Sequence, residues 1–160
     1  MLYNKDDAAM SLRFEASAKA ARGIGATVQP FGVREPNDFD EAFAAMNRDT
    51  PDAILMVSDS LTLLNRKRVI DFAAERRIPA IYEADTIARD GGLMSYGADD
   101  REMFDRVAAL VARIFNGAKP TELPVEQPTK YRFVVNLKTA RAMNIEVPAT
   151  LLAFADDVIE

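Results

Sequence analysis

The 160-residue sequence contains no cysteine, no histidine and no tryptophan. Without Cys or His ligands it cannot build a structural zinc site, an iron–sulfur cluster or a disulfide framework. A Ser-His-Asp triad and a thiol nucleophile are excluded for the same reason. Any catalysis would rest on Asp, Glu, Lys, Tyr, Ser or Thr. A surplus of basic charge is also missing, since 20 Lys and Arg stand against 25 Asp and Glu for a net charge of −5. Phosphate backbones are held by clustered cations, so nucleic acid is not expected as a partner. No run approaches the roughly 20 apolar residues that cross a bilayer. The start, Met1-Leu2-Tyr3-Asn4-Lys5-Asp6-Asp7, has neither a basic n-region nor an apolar h-region. The sequence as written is therefore expected to carry no signal peptide and to stay in the cytoplasm.

What is present is 49% hydrophobic and 28% charged, enough for one ordinary domain or two very small ones. Short apolar runs alternate with helical patterns. Leu2-Tyr3 gives the stub of a first strand, and the alanine-rich stretch Asp7 to Arg22 a helix, closed by Gly23 and Gly25 as left-handed residues. Thr27 to Val33 reads as an edge or bulged strand because of Pro30. Asn37-Asp38 opens a helix bearing Phe39, Phe43 and Met46. The continuous run Asp52 to Ser58 suits a strand buried on both faces. A helix with Val69, Phe72 and Ala73 then leads to the strand Ile78 to Tyr82. This alternation predicts an α/β fold, an open parallel sheet with crossover helices.

After a break at Asp90-Gly91-Gly92, Leu93 to Gly97 reads as another strand. Phe104, Val107, Val111, Ile114 and Phe115 then recur at helical spacing until Asn116-Gly117. Lys119 to Pro128 holds three prolines and reads as an extended connector. Tyr131 to Asn136 is a last strand, followed by short helices near Thr139–Met143 and after Pro148.

Ligands of parallel α/β sheets bind beyond the carboxyl ends of the strands. Those ends carry Asn4, Ser58-Asp59-Ser60, Tyr82-Glu83 and Ser95-Tyr96. Carboxylates suit an ammonium, hydroxyls and helix starts a carboxylate, and rings an apolar body, so the set fits an uncharged or zwitterionic small molecule. The plainer alternative is that Ser58 and Asp59 only cap the next helix. Gly23-Ile24-Gly25 is no dinucleotide fingerprint, because it ends a helix and lacks the third glycine. The acid pairs Asp6-Asp7, Asp99-Asp100 and Asp156-Asp157 are explained by turns and helix starts, and Arg66-Lys67-Arg68 by a solvated helix face. The seven methionines are scattered as core filling.

The carboxyl-terminal half carries a resemblance. Gly91-Gly92-Leu93-Met94-Ser95-Tyr96-Gly97, Gly117-Ala118-Lys119-Pro120, Leu123-Pro124-Val125-Glu126-Gln127-Pro128 and Val135-Asn136-Leu137-Lys138-Thr139-Ala140 resemble the substrate-binding proteins of a group of bacterial ABC transporters, tryptophan- and tyrosine-binding members among them. The ending, Pro148 to Ala153 and Ala155 to Glu160, is similar to that family's tail.

The resemblance implies two α/β lobes closing on a ligand, a permease partner, no cofactor, no catalysis, and a periplasmic or lipid-anchored location. It implies that residues 1–88 form the second lobe and that 89–160 cross back to complete a first lobe whose amino-terminal half this sequence does not contain. Asn4, Asp59, Tyr82 and Glu83 would then face the cleft, with Ser95 and Tyr96 at the crossover. An apolar helix and strand edges left without their lobe lead to an expected homodimer through the carboxyl-terminal segment. Two other readings stay open. One is a small flavodoxin-like enzyme or signalling domain using Asp59 and Glu83 around a metal or phosphate. The other is a truncated fragment without ligand affinity.

Overall fold

A computed structural model describes all residues, 1–160, as an α/β unit built on one seven-stranded sheet. The strands are β1 (Leu2–Asn4), β2 (Phe31–Val33), β3 (Ile54–Met56), β4 (Ala80–Tyr82), β5 (Met94–Ala98), β6 (Tyr131–Asn136) and β7 (Asp157–Ile159). Their spatial order is β2-β1-β3-β4-β5-β6-β7. Every neighbouring pair is parallel except β5 with β6. The expected open parallel sheet is thus present and carries one antiparallel junction. The sheet runs on past residue 88, because β5 pairs with β4 on one side and β6 on the other.

Helices α1 (Ala8–Arg22), α2 (Asp38–Arg48), α3 (Ser60–Leu64), α4 (Arg66–Arg76) and α5 (Asp85–Arg89) fill the crossovers. The alternation of strand side chains sorts them to two faces. Leu2, Val33, Met56 and Tyr82 join Phe39 and Met46 of α2 and Val69, Phe72 and Ala73 of α4 in the main core. On the opposite face Tyr3 and Val57 meet Met10 and Phe14 of α1, with the Tyr3 and Phe14 rings stacked at 5.2 Å. Farther along, α7 (Leu137–Met143) closes a small third cluster around Leu93, Ala140 and Met143, with Ala74 of α4 against it.

Local chemistry sets the ends. Asp7 caps α1 through the Ala9 and Met10 amides at 2.8 and 3.3 Å. Asp99 caps α6 (Asp100–Phe115) through Arg101 N at 2.9 Å. Asp156 accepts from Phe133 N at 2.8 Å. All three acid pairs therefore do the structural work expected of them. Of the two glycines after α1, only Gly25 is left-handed, at φ 73°; Gly23 stays helical and lends its N–H to Ala20 O. The second strand is confined to the three residues after Pro30 and lies at the sheet edge, as a proline-limited strand should. Asn37 makes no side-chain cap; Asp38 instead accepts from Arg34 N at 2.8 Å. Arg66, Lys67 and Arg68 open α4 and pair with Asp90, Asp71 and Asp40; Lys67 is exposed, while Arg66 and Arg68 are half-buried and Arg68 lies over the Phe39 ring.

Between β5 and β6 the chain leaves the sheet. The two strands stay paired to Ala98 and Tyr131, and Asp99 N still donates to Lys130 O at 3.0 Å. Beyond that stem lie α6 and the proline-rich return, residues 99–130. No side chain of α6 is buried. Glu102 fastens its start to the returning strand, accepting from Thr129 Oγ1 at 2.5 Å and Lys130 N at 2.8 Å. Arg106 pairs with Glu126 at 2.6 Å.

Candidate functional site

The carboxyl ends of β1, β3 and β4 lie side by side, so Asn4, Ser58-Asp59 and Glu83 form one row at the top of the sheet. Asn4 Nδ2 donates to Asp59 Oδ2 at 2.7 Å, and Asn4 Oδ1 accepts from Asp6 N at 3.1 Å. Asp59 also closes a capping box with Thr62 at the start of α3, accepting from Thr62 N at 2.8 Å while Asp59 N donates to Thr62 Oγ1 at 2.9 Å. The cap and the strand-end position coexist, as both use the same helix start. The buried Thr62 hydroxyl ties this turn to Val57 O at 2.9 Å.

Glu83 accepts from Ser58 N at 2.8 Å through Oε2, the same oxygen that takes Arg13 Nη1 at 3.2 Å. Arg13 Nη2 reaches the other oxygen, so the pair is bidentate. The Ser58 hydroxyl is buried without a partner. Ser60 is exposed on the first turn of α3.

Three other sequence candidates lie elsewhere. Tyr82 is 1% exposed, its ring in the main core against Gly92, where a Cβ would come within 2.7 Å of Tyr82 Cε2. Burial pushes its phenol well above the usual 10. Ser95 is fully buried beside it, in register across β4 and β5. Tyr96 lies on the opposite face, stacked on Tyr131 at 5.7 Å and edge-on to Phe133. It helps line an open apolar hollow of about 440 Å³ with Ile81, Leu151 and Phe154.

Sequence reasoning missed Arg13. It sits 70 positions from Glu83 and meets it only because α1 packs on the sheet against Tyr3, Leu55 and Val57. Also missed was a polar hollow of about 330 Å³ beside Glu83, lined by Asp85, Arg89, Asp99, Arg101 and Arg132. In its wall Arg89 pairs with Asp157 at 2.5 Å and Asp85 at 3.5 Å. The bond to Asp157 is the main reason the Arg89 guanidinium is held more firmly protonated than usual.

No group of three or more Asp or Glu side chains converges to hold a metal ion. Asp59 and Glu83 each have their own partners, Asn4 with Thr62 and Arg13 with Ser58. The arrangement is a polar platform of amide, carboxylates, hydroxyls and one guanidinium at the mouths of three parallel strands. Fold and platform together define a lobe of the periplasmic-binding-protein type. The chain belongs to the ABC transporter substrate-binding protein family, whose description matches residues 1–159.

Three solved structures share the architecture. An ABC domain from Streptococcus pneumonia in complex with L-Trp superposes with a TM-score of 0.88 at 25% identity, over 99% of this chain and 55% of that one. A conserved domain protein from Vibrio cholerae gives 0.89 at 23%, over 98% and 53%. The ligand-free, open structure of CD0873, a substrate-binding protein with adhesive properties from Clostridium difficile, gives 0.72 at 20%, over 99% and 52%. This chain thus spans about half the length of the structures it matches. No curated protein sequence matches it. No helix is long and apolar enough to cross a membrane.

Proposed function

We propose that the chain is a lobe of a solute-binding component of an ABC transporter, taking a small organic ligand such as an amino acid on the strand-end row, without catalysis. The observation that carries this reading is the convergence of Asn4, Ser58, Asp59 and Glu83 at neighbouring strand mouths in a member of this family. Ser60 lies beside the row on the first turn of α3, Tyr82 and Ser95 stand behind it in the core, and Tyr96 lies apart from it on the other sheet face. The L-Trp bound by the pneumococcal relative supports an amino acid as the class to test first. An ABC permease is the partner that follows, with work in the periplasm or at a lipid anchor.

Residues 1–88 are read as the second lobe of the two-lobed form. In the later segment, 89–160, the excursion 99–130 is the piece that reaches toward a first lobe. One lobe supplies about half of a closing cleft, so affinity should be weak. The test is a chemical-shift titration of the ¹⁵N-labelled chain with the twenty amino acids. Shifts confined to the amides around Asn4, Ser58–Ser60 and Glu83 support the reading. Silence there, with shifts caused by magnesium or phosphate, favours the enzyme or signalling alternative; silence throughout favours a fragment without affinity.

A specific observation also favours self-association through the carboxyl-terminal segment. Phe104, Phe115 and Phe154 are 67, 86 and 79% exposed, and Tyr96 and Tyr131 more than half. At about 200 Å² per ring these five offer roughly 700 Å² per copy. Two copies in reciprocal contact would therefore reach the 1,200–2,000 Å² or so of a stable interface. Sedimentation velocity decides it; a monomer at all concentrations down to nanomolar ends the dimer reading.

A further inference from the structure

We propose that Arg13 is a specificity-determining residue of the strand-end site, the group that reads the carboxylate of a zwitterionic ligand, while Asp59 takes its ammonium. This rests on the reading of that row as the ligand site and goes beyond it by assigning a charge to each end of the ligand.

The assignment follows from counting donors and acceptors. Glu83 is the more obvious partner for a cation, yet its carboxylate already accepts three N–H bonds, two from Arg13 and one from Ser58 N. Its charge is neutralised by the guanidinium it holds. Asp59 differs. Its partners are the neutral amide of Asn4 on Oδ2 and the Thr62 backbone N–H on Oδ1, with the Thr62 hydroxyl oxygen also 2.9 Å from Oδ1, so its negative charge is left without a cation and Oδ2 keeps a free lone pair. Arg13 is the converse. A guanidinium has five N–H donors, of which Glu83 uses two, and the side chain is 46% exposed. The Arg13–Glu83 pair thus shows a ligand its cationic half.

Position agrees with this. Glu83 Oε2 is shared between Arg13 Nη1 and Ser58 N, and Ser58 precedes Asp59, so guanidinium and unpaired carboxylate flank the same strand mouth. Glu83 acts by holding the guanidinium in place, a fork-to-fork geometry that lysine could not reproduce. A site with one open carboxylate and one open guanidinium favours a ligand carrying both charges over an amine or an acid carrying one.

The test compares L-tryptophan, tryptamine and indole-3-propionate by NMR titration of the 160-residue chain, with L-tyrosine and tyramine as a second pair. Wild type is expected to bind the amino acid most tightly. Arg13→Gln should weaken L-tryptophan and indole-3-propionate about tenfold, the effect of one charge-assisted bond at a half-exposed site, and leave tryptamine unchanged. Arg13→Lys should restore part of the loss. Arg22→Gln, the same charge change at the far end of α1, should alter none of the three. If Arg13 only pins α1 to β4, all ligands weaken together and the proposal fails. It fails too if wild type binds tryptamine as well as L-tryptophan, which would leave the solute-binding reading intact. Binding of none of these probes or of any amino acid overturns both.

Discussion

Helices α2 and α6 carry the same pattern and end in different surroundings. Each opens with acids in its first turn and sets a phenylalanine and smaller apolar residues on one stripe. In α2 the stripe is Phe39, Ala42 and Met46, all buried, with Phe39 at 0% exposure against the sheet and the Phe43 ring stacked on Phe72 at 4.4 Å. In α6 the stripe is Phe104, Val107, Val111, Ile114 and Phe115, and no residue of it is buried. Helical amphipathicity states a demand for burial. The surface that meets the demand is fixed by where the chain goes before and after. Helix α2 lies in a β-α-β crossover, which returns it to its own sheet. Helix α6 lies between two strands that are already paired with each other, so nothing in the connection pulls it down.

The comparison makes its largest prediction about stability. Phe39→Ala removes a fully enclosed ring and should cost about 3–5 kcal/mol in urea unfolding. Phe104→Ala, the same change on α6, should stay within about 0.5 kcal/mol in dilute monomer, as for other surface substitutions. A large Phe104 effect that grows with protein concentration would show the stripe to be covered by a second copy. Phe104→Glu with Val111→Glu should then convert that dimer to monomer in sedimentation velocity and leave the unfolding midpoint of dilute protein where it was.

Next in size is a contrast of two glycines on either side of α6. A Cβ on Gly97 would fall inside the contact shell of the Glu83 carbonyl oxygen, backbone against backbone. Gly97→Ala should cost roughly 2–3 kcal/mol, as overpacking does, and should disturb the amides of Ser58 and Glu83 in the site. Gly117 has nothing within 4 Å and is glycine only because its φ is 98°. Gly117→Ala should cost about 1 kcal/mol of local strain at the end of α6 and shift no amide of the site. Equal effects at the two positions would mean that the excursion is packed far more tightly than its exposed stripe implies.

These contrasts also explain what was legible in the sequence. Continuous apolar runs at 52–58 and 78–82 announced buried parallel strands because both faces of such strands are covered. The rule that ligands sit at strand mouths then picked out Asn4, Ser58, Asp59 and Glu83, which the structure places in one row. It could not separate them from Tyr82 and Ser95, because in strands of three to five residues one step of alternation turns a side chain from the mouth or outer face into the core. The antiparallel turn from β5 into β6 leaves no periodic trace, and β7, at three residues, is too short for one. Helix α5 escaped notice for the same reason. Arg13 was invisible because a long side chain reaching across the tops of strands has no characteristic spacing. The stripe of α6 was the most regular helical signal in the chain, and its regularity said nothing of what would cover it.

The smallest expected effect concerns the clasp that holds α6 to the stem. Glu102 accepts from the Thr129 hydroxyl and from the Thr129 and Lys130 amides, and the Thr129 hydroxyl is the main cause of its carboxyl titrating below the usual 4.5. A carboxyl with a depressed folded-state pKa stabilises its contacts fully above its unfolded value, and loses that contribution as pH falls through the folded one. The clasp should therefore be closed at neutral pH and release only in acid, below the range where an ordinary glutamate protonates. Exchange of the Thr129 and Lys130 amides should accelerate as pH is lowered from 5 to 3, after correction for intrinsic rates. The Val134 and Val135 amides, deeper in the same strand, should keep their protection. Glu102→Gln should leave the clasp amides fast-exchanging and indifferent to pH over that interval. If the two groups of amides instead respond together, stem and sheet open as one unit, and the excursion is not an independently mobile arm.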